Sequence, residues 1–327
     1  MDDSHPKTSA AKRKPEGDEP DIPNKIARLG NHQTEQLPVF KKSESPWTYA
    51  QNRLVWPKSG RRISDAIAGD MVAILRFYGT TTPAMIDKEW LPNLEERKWL
   101  SSNEVSFYCY EVGNAYVEGA PGRGKDLVVF HCDTWGLGRP DHNGSDSLRH
   151  RRAPCALEYK YIAFPANDTN SHYFLCIILW PADLLLDSNP FGPVRTTALV
   201  LNSLAEHQPN NAHDSIKRII GHLSAGRPIR DHELRKLKVH MPRMPQQPNS
   251  YDCGLYPGHF LSVFLTNPEK YAAHCTGEEP IQGPEDSIWQ HEQVKFAREH
   301  LKSLITTSAE IRQAALDFNS DDLKPLS

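Results

Sequence analysis

Seven apolar residues in a row, Tyr173-Phe174-Leu175-Cys176-Ile177-Ile178-Leu179, limit what this chain can fold into more than any other stretch. The run is aromatic and β-branched, it has the length of a strand, and it shows no alternation of polar and apolar positions, so it reads as a buried strand. Its surroundings share that texture. Leu157 to Pro165 precedes it, Thr196 to Leu204 follows, and Leu127-Val128-Val129-Phe130 upstream reads as a further short buried strand. Helical apolar spacing lies on either side of this block. It is found over 63–78 and 93–117 before the strands, and over 212–223, 252–265 and 289–316 towards the end. In the 212–223 segment Ile216, Ile219, Ile220 and Leu223 share one face. Helices, then strands, then helices point to an α+β fold rather than an alternating βαβ one. Residues 181–195, with Pro and Gly among them, read as an insertion or a wide hairpin.

With 327 residues, 38% of them hydrophobic, the chain is long enough for one large domain with a real core. Residues 1–45 are rich in Pro, Lys, Glu, Asp and Ser and read as a disordered tail, leaving 46–320 for the folded domain. Within the tail, Lys12-Arg13-Lys14-Pro15 fits a nuclear import signal. The first twenty residues lack the apolar core of a signal peptide, and the protein is expected inside the cell, in the nucleus. A net charge of -3 gives no global field for nucleic acid or an acidic membrane, and the basic, Gly-rich segment 136–152 reads as a solvated loop. No run approaches the roughly 20 apolar residues of a membrane span. Six cysteines are spread without a CxxC pair, which argues against a disulfide framework, and His131-Cys132, Cys155 and Cys176 lack metal-type spacing. A monomer with no metal and no cofactor is expected.

The chemistry gathers around Met244 to Phe264, MPQQPNSYDCGLYPGHFLSVF. A cysteine at the start of a helix meets the positive end of the dipole and unpaired N–H groups, which favour thiolate, so Cys253 is a candidate nucleophile. Gly254 beside it permits close approach of a substrate backbone. Pro257 is tolerated because a first-turn N–H has no intrahelical partner to lose. His172 opens the buried strand, where an imidazole can be presented at the end of a sheet. Asn202, at the end of a neighbouring strand, can orient that imidazole through its side-chain carbonyl. Gln247, six residues before Cys253, can donate an amide N–H to a developing oxyanion.

These residues resemble the Ulp/SENP family of SUMO-specific cysteine proteases. Gln247 to Gly254 resembles its PQQxNxYDCG signature, His172-Tyr173 its His-Trp motif, Leu201-Asn202-Ser203-Leu204 its Asp-Ser-Leu turn, and Lys98-Trp99-Leu100 with the residues up to Tyr108 its opening helix. The four occur in the family's order over about residues 90–310. The resemblance implies a papain-like α+β fold, a central mixed sheet flanked by helices with the nucleophile at a helix N-terminus, and a thiol protease or isopeptidase that cleaves after the C-terminal Gly-Gly of SUMO. It implies Cys253 as nucleophile, His172 as general base and acid, Asn202 as the orienting residue and Gln247 as oxyanion donor. Trp99 and Tyr173 correspond to aromatics that wall the channel for the two glycines. SUMO, or proteins conjugated to it, are the implied partners.

The chain departs from the family at several points. Asn202 stands where aspartate is usual, and Asp187, also in an Asp-Ser turn, is the alternative third member; the strand, turn and helix around Asn202 favour Asn202. An amide can still fix the imidazole tautomer, as in Cys-His-Asn sites. Tyr173 replaces a tryptophan, Ser101-Ser102 replace Asn-Asp, and Pro257-Gly258 replace an apolar pair. A deconjugase of another modifier, such as a Nedd/Rub-type protein, and a SUMO-binding pseudoenzyme are the competing readings.

Overall fold

The structure is a computed structural model and describes residues 88–140, 155–168, 172–188, 190–209 and 211–306. The expected tail with its basic cluster, the helix over 63–78, most of the 136–152 loop and the end of the last helix lie outside the described residues.

Five strands form one sheet in the order β1-β2-β3-β4-β5: β1 (Leu127–Val129), β2 (Tyr161–Asn167), β3 (Tyr173–Leu179), β4 (Thr197–Leu201) and β5 (Lys238–His240). The inner pairs β2–β3 and β3–β4 are antiparallel, and the outer pairs β1–β2 and β4–β5 are parallel. The apolar run is therefore the central strand. Alternation puts Tyr173, Leu175, Ile177 and Leu179 on one face and Phe174, Cys176 and Ile178 on the other. Both faces are interior, which is why the sequence shows no polar alternation there.

The first face is covered by α1 (Ser102–Glu118), through Val105, Tyr108 and Cys109. The second packs against the isoleucines of α2 (Ala212–Leu223) and Trp135. After a short α3 (Asp231–Arg235), the first face also receives α4 (Tyr256–Phe264), through Phe260, Leu261 and Phe264. Helices α5 (Pro268–Thr276), α6 (Glu285–Ile288) and α7 (residues 294–306) complete that layer. Burying each large aliphatic or aromatic side chain contributes about 1.5–3 kcal/mol, so the two-sided filling of β3 anchors the fold.

The helix expected over 93–117 begins later, at Ser102. Lys88–Leu94 is a 3-10 segment containing Pro92, and Arg97 takes a left-handed backbone (φ 63), so no helix runs through. Ser101 and Glu104 form a capping box, with the Ser101 N–H donating to the Glu104 carboxylate. The helix expected over 252–265 likewise begins at Tyr256, and Cys253 lies in the turn that leads into it. Pro257 does fall in the first turn of α4. Gly258 is required by packing: a Cβ there would lie 2.3 Å from Tyr108 Cδ1 on α1. Two elements escape the sequence pattern. β5 is three residues, too short for a period, and α5 is flagged only by its ends, an Asn267 cap accepting the Lys270 N–H and a left-handed Gly277. Residues 181–195 form the connection of the β3–β4 hairpin, closed by the Arg195–Asp183 ion pair at 2.9 Å.

Gly258→Ala gains about 1 kcal/mol of helix propensity but drives a methyl into the buried Tyr108 ring. We expect the overlap to dominate, with a net loss of about 1–3 kcal/mol in chemical denaturation; an unchanged or higher stability would show that the two helices can separate freely.

Candidate active site

Because β3 and β4 run antiparallel, the start of one and the end of the other meet at the same edge. His172 stands just before β3 and Asn202 just after β4, both buried. His172 Nε2 and Asn202 Oδ1 are 2.6 Å apart. The orientation of the amide follows from its other partners. Asn202 Nδ2 donates to the His207 carbonyl at 2.7 Å, and Oδ1 also accepts the Leu204 N–H at 2.9 Å. A flipped amide would set oxygen against oxygen at His207. Oδ1 therefore faces the imidazole, Nε2 carries the proton, and Nδ1 is left as the basic nitrogen. Burial holds His172 below its ordinary 6.5, against the opposing pull of the Asn202 hydrogen bond, and the His207 ring, 5.7 Å away, adds to the lowering.

Asp187 is elsewhere. It is half exposed and held by Arg227, with Nη2–Oδ1 at 2.6 Å and Nε–Oδ2 at 3.1 Å.

The Cys253 thiol is buried. Burial pushes it above the ordinary 9.0, while N–H groups of Tyr173, Gly254 and Cys253 itself pull the other way. The Tyr173 N–H places the sulfur beside the residue that follows His172. Burial thus acts on the two groups in opposite directions, raising the thiol and lowering the imidazole. The helix-end lowering expected from sequence is outweighed by burial, since the thiol lies in the turn ahead of α4 rather than on its first residue.

Gln247 reaches the same edge from the segment after β5. Its N–H donates to the Ser203 carbonyl at 2.9 Å, and its Oε1 accepts from Ser203 Oγ at 2.8 Å. One amide hydrogen goes to the Asn249 carbonyl at 2.5 Å, and Nε2 has a second to give. Ser203 was not singled out as a functional residue by the sequence analysis, although it adjoins Asn202; its contribution is to set which way the Gln247 amide faces.

Two departures from the family pattern turn out to be partners. The hydroxyl that Tyr173 adds lies 3.1 Å from Ser102 Oγ. Trp99 is 49% exposed on the segment before α1, and Leu100 packs onto Gly254. A Cβ on Gly254 would come within 2.9 Å of Val105 and 3.0 Å of Leu100, so this glycine is needed for protein packing rather than only for an incoming chain. Among the described residues, one group of metal-ligating types stands together, His131, Cys132 and Asp133, with ligand atoms within 4.8 Å. Both of its imidazole nitrogens have protein partners, the Asp133 N–H and Asn103 Oδ1, each at 3.2 Å.

A mixed sheet with a histidine–amide pair at its edge and a thiol in the turn before a helix defines a papain-like cysteine-protease architecture. Residues 134–282 match the Ulp1 protease family, C-terminal catalytic domain. The match contains His172, Asn202, Gln247 and Cys253 and leaves out Trp99. The chain is 26% identical over 270 residues to ubiquitin-like-specific protease 2 of Schizosaccharomyces pombe, covering 72% of this chain but only 41% of that relative. In fold it is similar to a crystal structure of a de-sumoylating protease, with a TM-score of 0.58 at 17% identity, over 71% of this chain and 90% of that one.

Two outcomes follow from this geometry. Asn202→Asp removes the donor to His207 and sets a carboxylate oxygen against its carbonyl. Unfolding stability at neutral pH should fall by about 1–3 kcal/mol, the cost of an unpaired buried group, while NMR titration shows the His172 pKa moving up; equal stability would mean that the amide donor contributes nothing. The alkylation rate of Cys253 by iodoacetamide in the free protein should climb with pH to a midpoint above 9.0, and a plateau reached below pH 7 would instead indicate a preformed thiolate.

Proposed function

We propose that this protein is a thiol isopeptidase that cleaves after the C-terminal Gly-Gly of SUMO, releasing it from target lysines and maturing its precursor. The observation that carries the reading is the His172–Asn202 pair at the sheet edge, with Nδ1 basic and the Cys253 sulfur against the neighbouring Tyr173 N–H. The family match over 134–282 and the fission-yeast relative support it.

In this reading Cys253 gives its proton to His172 Nδ1 as the sulfur attacks the carbonyl of the last glycine. The oxyanion takes the free N–H of Gln247, where a fixed donor is worth several kcal/mol of barrier. Asn202 holds the imidazolium through Nε2. Collapse of the intermediate breaks the C–N bond, and His172 returns the proton to the departing lysine amine. Water, deprotonated by His172, then cleaves the thioester and regenerates the thiol. Starting from neutral partners costs little, because proton transfer and attack occur together, and the pair becomes charged only where N–H groups surround the sulfur. Trp99 and Tyr173 wall a channel that admits residues without side chains, which selects Gly-Gly by exclusion. The protein acts as a monomer in the nucleus, a location supported by Lys12-Arg13-Lys14-Pro15. Among the described residues no helix is long and apolar enough to cross a membrane.

SUMO carrying a C-terminal vinyl sulfone should label Cys253 in the wild type, and Cys253→Ala should abolish labelling and hydrolysis while still binding SUMO. Labelling by a Nedd/Rub-type probe alone would transfer the activity to that modifier, and SUMO binding without labelling would make the protein a pseudoenzyme. Asn202→Ala should lower turnover and Asp187→Ala should not; the reverse would displace Asn202 as the third member.

A further inference from the structure

Trp99 lies in the short connection between the 3-10 segment Lys88–Leu94 and α1. The carbonyls of Asn93, Glu95 and Lys98 converge on one side chain, the buried Arg298 of α7. Nη1 donates to Asn93 O and Glu95 O, both at 3.2 Å, and Nη2 donates to Lys98 O at 3.1 Å. Nη2 also bonds Asp252 Oδ1 at 2.6 Å, one residue before the thiol. A second buried charge grips the segment from α1: Glu104 accepts from Asn93 Nδ2 at 2.7 Å and from the Ser101 N–H. Leu100, next to Trp99, then rests on Gly254.

The far side of Asp252 leads to the oxyanion donor. Asp252 Oδ2 accepts from Asn249 Nδ2 at 2.8 Å, and the Asn249 carbonyl holds the amide of Gln247. One guanidinium thus joins the Trp99 segment to the loop that bears Gln247 and Cys253. Lysine cannot substitute, because a single ammonium does not span four acceptors in a planar fork. Arg298 and residues 93–98 all fall outside the 134–282 family match.

We propose that Arg298 is a positioning residue for this site, holding the Trp99 wall of the glycine channel in register with the Cys253–Gln247 loop through Asp252. The proposal rests on the isopeptidase reading, since it concerns the channel that reading requires. Arg298 touches neither substrate nor reacting atoms; it acts on where they meet. Losing it would leave the thiol in place and misalign its approach, and misplacement of about 1 Å costs on the order of 100-fold in rate.

The test compares two reactions of the same sulfur in the full chain. One is labelling by SUMO with a C-terminal vinyl sulfone, which must thread the channel, and the other is alkylation by chloroacetamide, which needs no channel. In Arg298→Lys the first rate should fall about 10–100-fold, with the second within about twofold of wild type. Asp252→Asn should move the two rates in the same directions, and the double variant should lose less than the sum, as expected of residues in one network. Wild-type SUMO labelling in a folded Arg298→Lys protein overturns the proposal, as does an equal fall in both rates, which a purely structural role would give. If Arg298→Lys does not fold, Asp252→Asn decides on the same criteria. A wild-type chain alkylated normally but labelled by no modifier probe overturns the isopeptidase reading instead, and the channel role with it.

Discussion

The antiparallel pairing of β3 with β4 is the constraint on which the rest of the site depends. It brings the first residue before one strand and the first residue after the next to a common edge, so His172 meets Asn202 at 2.6 Å although thirty residues separate them. β3 can occupy the centre only because both its faces are buried, one under α1, α4 and α7 and the other under α2. The same layer that covers the first face also supplies the Cys253 turn, at the head of α4. Core packing and the geometry of the candidate site therefore share elements, since α4 both covers the first face and follows the Cys253 turn.

Asn202 fits its surroundings in a way an aspartate would not. Its oxygen serves the imidazole and the Leu204 N–H, while its NH2 serves the His207 carbonyl. A carboxylate can replace the first function and not the last. Tyr173 and Ser102 likewise differ from the family pattern together and lie within hydrogen-bond distance. These pairings describe a locally self-consistent site. Burial raises the thiol and lowers the imidazole, and the backbone N–H groups of Tyr173, Gly254 and Cys253 oppose the first of these shifts.

Much of this was legible in the sequence where one physical cause dominates. The unbroken apolar run marked the central strand, and four isoleucine and leucine positions at helical spacing marked α2 at its observed bounds. Three helix starts were placed four to nine residues too early; in the longest case apolar spacing continues through Asn93 to Ser101, while Arg97 takes a left-handed backbone and the Ser101–Glu104 cap begins the helix only at Ser102. β5 was invisible, three half-exposed residues held by pairing with β4 rather than by any pattern of their own.

Residue chemistry and order along the chain single out Cys253, His172, Asn202 and Gln247 as candidates, since nucleophilicity, basicity and amide donors are properties of side chains. What only the tertiary structure decided is how those groups are held. The flip of the Asn202 amide, the grip of Ser203 on Gln247, the burial that reverses the expected shift of the thiol and the four-way fork of Arg298 all arise from contacts between segments dozens to hundreds of residues apart. Such contacts leave no local period in a sequence, because their energy depends on distance in space and not on spacing along the chain.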